Sequence, residues 1–168
     1  MVTENIPTLK INKLTQAQYD RELEAGRINE NELYLTPYEA NHTIESNEYS
    51  GCYYRIVNGE REWINPPMID GVRYRTTERH NGSPIYVCRV RIAAEDSSST
   101  SKTYDALSGL IEVISITGTK VCGGAHVHNL NSSERPCMVS VQSNTLWISF
   151  SDGQPVTSMI VTIKFTLS

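Results

Sequence analysis

Phenylalanine and tryptophan are scarce in this chain, with two of each in 168 residues against nine Tyr. A core filled in the usual way with Phe is therefore not available. Tyr in excess suits surfaces that are half apolar and half wet, such as subunit interfaces and ligand platforms, and it is also a common strand residue. No apolar run approaches the roughly 20 residues that a membrane helix needs, so membrane insertion is not expected. The opening MVTENIPTLK holds neither a basic n-region nor an apolar h-region, and no export signal is expected. Positive charge is also short. The net charge is −4, so a polyanion meets repulsion on average, and nucleic-acid binding is not expected. The deficit is local. Residues 1–50 hold four Lys and Arg against nine Asp and Glu, whereas residues 51–168 hold eleven against ten.

Signatures of catalysis are missing as well. No G-x-S-x-G, P-loop or H-E-x-x-H occurs. Gly123-Gly124 is not followed by a helical pattern, so it reads as a sharp turn rather than a phosphate cradle. Glu62 and Glu78 are a glycosidase pair only in the sense that any β-rich chain offers two carboxylates. An enzyme is not expected. The four cysteines, at 52, 88, 122 and 137, form no C-x-x-C and read as buried thiols. Spacing alone leaves a Cys122–Cys137 disulfide open. Cys122, His126, His128 and Cys137 also spell C-x3-H-x-H-x8-C, four zinc-type ligands at a spacing unlike that of a standard finger. On a strand, His126 and His128 point to one face, which is the second way to hold a structural metal ion. Satisfied loop histidines are the plain alternative.

What is present is mostly strand pattern. Ile11 and Leu14 open a short strand. Thr15 is a good helix N-cap, and Tyr19, Leu23 and the stem of Arg27 follow at i+4 spacing. Gly26 suits the helix stop, and residues 32–36 read as a strand ended by Pro37. Residues 1–37 thus form a small strand–helix–strand module that buries too little to stand alone. Residues 38–70 read as a linker containing a hairpin about Asn58-Gly59 and the breaker Asn65-Pro66-Pro67. From residue 71 the pattern is β almost throughout. Ile85, Val87, Val90 and Ile92 line a long strand, and residues 96–102 read as a Ser/Thr loop. Ser143-Asn144 joins two strands, and Met159, Val161, Ile163 and Phe165 alternate inward against Thr162 and Lys164. The expected fold is mainly β: a C-terminal antiparallel β-sandwich, residues 71–168, behind the small N-terminal α/β module.

Two stretches resemble a known family. INKLTQAQYDRELEAGRINENELYLTP, residues 11–37, resembles a short module that recurs in virion proteins of phages and prophages of Gram-positive bacteria. Residues 62–87 resemble the entry to C-terminal domains of tail-fibre and baseplate-associated proteins from the same phages. The matching residues there are Glu62, Trp63, Ile64, Pro66, Pro67 and Met68, then Gly71, Val72, Tyr74, Arg75, Thr76, Thr77, Glu78, Arg79, Asn81, Gly82, Pro84 and Tyr86. The closing VTIKFTLS is similar to the terminal strand of such domains. The resemblance implies a receptor-binding or structural virion protein of the tail or baseplate, assembled in the bacterial cytoplasm and often homotrimeric. It implies no catalytic residues. Tail fibres of some phages carry an H-x-H on each of three chains around an axial metal ion, which is the form that a metal at His126 and His128 would take here.

These readings converge on a homotrimer with the N-terminal module and residues 63–68 near its axis, partnered by other tail or baseplate proteins. The ligand expected is a bacterial cell-surface glycan, bound by three weak sites acting together. Tyr104 and Trp147 are the candidate stacking residues. Arg73 and Arg75, within a cluster that includes Arg79, Arg89 and Arg91, suit an acidic glycan such as teichoic acid, or else ion pairs with nearby Glu. The alternatives are a connector or head-decoration protein that binds no receptor, and a glycan depolymerase.

Overall fold

The computed structural model describes residues 10–30, 32–36, 51–95, 99–122, 126–130, 132, 137–150 and 156–168. The expected linker at 38–50 and the Gly123-Gly124 turn lie outside these residues. The chain divides into two compact units, Met1–Pro67 and Met68–Ser168. Both are built mainly from strands, with one α-helix among the described residues.

The first unit contains β1 (Ile11–Lys13), α1 (Gln16–Glu24), β2 (Leu33–Leu35), β3 (Tyr53–Val57) and β4 (Glu60–Trp63). Thr15 caps α1 reciprocally: its Oγ1 accepts from the Gln18 N–H at 3.1 Å, and the Gln18 side chain accepts from the Thr15 N–H at 2.8 Å. Gly26, at φ +65°, turns the chain out of the helix. Strand β2 then runs parallel to β1, as a strand–helix–strand crossover requires, and antiparallel to β3. Asn58 and Gly59 both have positive φ, which is the two-residue turn that matches strand twist and closes the β3–β4 hairpin. This hairpin belongs to the first unit's sheet. Its sequence had placed it in a linker, because the pairing of β3 with β2 leaves no local signal.

The unit's core is aromatic. Tyr34, Tyr54 and Trp63 lie side by side across β2, β3 and β4, and Tyr19 of α1 closes on them edge-on. Tyr34 and Tyr54 stack at 5.6 Å between centroids, and Tyr54 meets Trp63 at 5.0 Å. The Arg61 guanidinium lies 3.8 Å over the Tyr19 ring, a cation–π contact inside the cluster. Four of the nine Tyr are therefore core residues, in this unit Tyr19, Tyr34 and Tyr54 and in the second Tyr74. Tyr53, Tyr86 and Tyr104 are half-buried, so the Tyr excess serves both core and half-wet positions. With almost no Phe, the packing is done by rings whose hydroxyls must find a partner. Tyr34 does so, exchanging hydrogen bonds with the Asn29 backbone at 2.8 and 3.0 Å.

The second unit contains β5 (Arg73–His80), β6 (Ser83–Glu95), β7 (Ser99–Thr103), β8 (Leu110–Cys122), β9 (His126–Asn129), β10 (Cys137–Gln142), β11 (Thr145–Phe150) and β12 (Val156–Leu167), with a 3-10 turn at Asp105–Leu107. One sheet has the order β5-β6-β12-β8-β9 and the other β10-β11-β7, every pairing antiparallel. Cys88, Val90 and Ile92 of β6, Leu146 and Ile148 of β11, and Met159, Val161, Ile163 and Phe165 of β12 fill one shared core. The alternation along β12 is the one its sequence predicts. Strand β7 is a difference: its STSKT sequence reads as a loop, but it pairs with β11 and so gains ladder hydrogen bonds that propensity does not anticipate.

Candidate functional site

Strands β10 and β11 are joined at Ser143, whose φ of +54° makes the tight turn. That turn fixes the register. Met138 faces Ser149, Ser140 faces Trp147, and Gln142 faces Thr145, while Trp147 faces Ser101 on β7. Because side chains alternate along a strand, Leu146 and Ile148 enter the core and Trp147 and Ser149 must point away from it. The same rule turns Met138, Ser140 and Gln142 outward. The result is a sheet face with an indole near its centre, 51% exposed, and Met138 beside it, 72% exposed. A shallow depression of about 450 Å³ lies over this face, lined by Met138, Ser140, Gln142, Trp147, Ile148 and Ser149. Thr103 and Thr145 share a hydroxyl–hydroxyl hydrogen bond at 3.2 Å across β7 and β11.

The other sequence candidates lie elsewhere. Tyr104 packs half-buried against the core, and its backbone N–H donates to Asn144 O at 2.9 Å. Arg73 and Arg75 sit on one face of β5, opposite Cys88 and Tyr86 of β6. Arg73 donates to Ser108 O at 2.9 Å and lies 5.8 Å over the Tyr86 ring. Trp147 is on a different sheet and faces away from the shared core, so the structure does not bring these arginines and the indole together.

Elsewhere in the arginine cluster, Arg89 and Arg91 clasp Asp70 from Nε at 2.6 and 3.0 Å. Burial of the Asp70 carboxylate works against its charge, but the two guanidiniums outweigh that and hold it below its ordinary pKa. Glu78 takes Lys164 at 2.6 and 2.8 Å, and the fully buried Glu62 takes Arg55 at 2.7 and 3.0 Å. Both carboxylates of the nominal glycosidase pair are thus engaged in ion pairs within their own units.

On the metal candidates, β8 and β9 set Cys122 opposite His126 and Lys120 opposite His128. The side chains of Cys122 and His126 are outside the described residues. Among those described, no group of three or more His, Cys, Asp or Glu gathers in metal-holding geometry. Lys120, itself buried, sits across the ladder from His128. Cys52, Cys88 and Cys137 are buried, and the Cys122–Cys137 disulfide that spacing leaves open involves a side chain outside the described residues. Burial pushes the Cys88 thiol up to about 11.

No family model, curated protein or solved structure matches the chain. The sequence candidates included Trp147 but not its companions Met138, Ser140, Gln142, Ser149 and Ser101. The signal for four of them was legible: with the turn fixed at 143–144, the period of two in MVSVQ and TLWISF places all four on the indole's face.

Proposed function

We propose that this chain is a receptor-binding structural protein of a phage or prophage tail fibre or baseplate. In this reading the second unit is a β-sandwich that attaches to glycan on a bacterial surface, and the assembled particle is a homotrimer. The observation that carries the reading is Trp147. A chain with two Trp buries one in its first core and leaves the other half exposed on a sheet face, among hydroxyls and an amide. Isolated exposed apolar residues need no explanation, but an indole in a depression beside an exposed Met is a pattern of binding surfaces. The likeness of residues 11–37 and 62–87 to virion proteins supports the same reading. Three such faces on one particle would turn weak sites into firm attachment without new contacts.

The test is adsorption of the purified, fluorescently labelled protein to a panel of Gram-positive cells. Saturable adsorption to at least one strain, lost in Trp147→Ala, is the expected result. Absence of adsorption to any strain overturns the receptor-binding reading and leaves a connector or head-decoration role.

A further inference from the structure

The same face carries a more specific message, which rests on the glycan reading above: we infer that its ligand is an uncharged sugar. Strands β7, β10 and β11 (STSKT, CMVSVQ, TLWISF) contain a single charged residue, Lys102. Lys102 is in register with the core residue Leu146, and so belongs to the face opposite Trp147. The indole's face is therefore free of formal charge along all three strands. An anionic polymer gains its affinity from cations, and among the described residues none stands on this face. Elsewhere in the unit, Asp70 holds Arg89 and Arg91, Glu78 holds Lys164, and Arg73 donates to the Ser108 carbonyl.

What the face does offer suits a neutral pyranose. The indole supplies a flat apolar plane with an N–H at its edge. Ser140 and Ser101 are its direct ladder partners on either side, about 5 Å away at the spacing of neighbouring strands. Ser149 lies two residues along β11, about 7 Å away. A six-membered sugar ring laid on the indole by its C–H face would extend its ring hydroxyls towards these serines and towards Gln142. Hydroxyl and amide groups both donate and accept, as sugar hydroxyls do. A second copy of this chain fits less well. The cores of protein interfaces are depleted in Ser, whereas Ser is the commonest residue on this face.

The experiment is a printed array carrying neutral hexose and N-acetylhexosamine oligosaccharides, with glycerol-phosphate teichoic acid and uronic-acid polysaccharides beside them. The intact chain, Trp147→Ala and Trp147→Phe are compared, with circular dichroism as the folding control. Expected is binding to neutral spots, with less than about twofold change between about 0.05 and 0.5 M NaCl, because no ion pair is there to screen. Trp147→Ala weakens it about tenfold or more, and Trp147→Phe weakens it less. Binding confined to anionic spots and abolished by salt overturns the neutral-ligand inference and leaves glycan attachment standing. Cell adsorption that persists in Trp147→Ala, with no sugar bound, overturns both. Loss of self-association in Trp147→Ala with no sugar bound assigns the face to contact between copies and likewise overturns the inference.

Discussion

Lys120 and Gly118 sit two residues apart on β8, and each is held by a constraint that its own residue type does not announce. Lys120 is 1% exposed, opposite Met159 on β12, and its amine has no hydrogen-bonding partner among the described residues. Enclosing an amine in this way costs more than enclosing a thioether of similar length. Lys120→Met should therefore raise stability by about 1–3 kcal/mol, read from urea unfolding. An unchanged or lower midpoint would mean that the amine is satisfied after all. At Gly118, an added Cβ would lie 2.1 Å from the Ile160 carbonyl oxygen, which is backbone and cannot rotate away. Gly118→Ala should cost about 3 kcal/mol in the same assay, far more than the few tenths expected of an ordinary strand Gly→Ala exchange. Tyr54 poses a milder version of the Lys120 problem. Burial raises its phenol against the opposing pull of the Arg61 guanidinium, and its hydroxyl has no hydrogen-bonding partner of good geometry among the described residues.

At the scale of elements, β12 matters most. It lies between β6 and β8, pairing with both along most of its length, and supplies five core residues from Val156 to Phe165. Removing residues 156–168 opens the sheet at its centre. The truncated chain should lose the β-signal of the second unit in far-ultraviolet circular dichroism, and in the intact chain β12 amides should exchange last. Rapid exchange along β12 would contradict the central placement. The segment preceding β5 is fastened differently. Asp70 bridges to Arg89 and Arg91, Gly71 N–H donates to Arg89 O at 2.7 Å, and the Ile69 N–H donates to the Tyr74 hydroxyl at 3.3 Å. Because the folded carboxylate is held below its ordinary pKa of 3.8, its contribution is complete above that value and is lost as pH falls through the lower, folded one. Melting temperature should fall on acidification below about pH 4, and Asp70→Asn should flatten part of that fall while lowering stability at neutral pH. An unaltered pH profile would show that other carboxylates carry the dependence.

For the whole molecule, the two units bury their apolar surface by different means. The first relies on four aromatic rings and a guanidinium, and the second on aliphatic side chains from two sheets. The trimer that we propose predicts a particle of about three times the 18.9 kDa chain mass by light scattering coupled to gel filtration, and a clean monomer at micromolar concentration would refute it. Exposed apolar side chains remain in both units, among them Ile11, Ile64, Ile111 and Val127. They are the first positions to examine if such a particle is found.

Local chemistry was readable from the chain alone wherever a pattern was short. The Thr15 cap, the Asn58-Gly59 and Ser143 turns, and the alternation of β12 each depend on residues a few positions apart, and sequence carries that information directly. The tertiary structure decided what depends on distant partners. It made a strand of the Ser/Thr stretch in β7, because β11 was there to pair with it. It drew the β3–β4 hairpin into the first sheet, buried Tyr19, Tyr34, Tyr54 and Tyr74, and separated Arg73 and Arg75 from Trp147. A side chain's direction is fixed by its register within a sheet, and register follows from strand pairing across gaps that no local pattern spans.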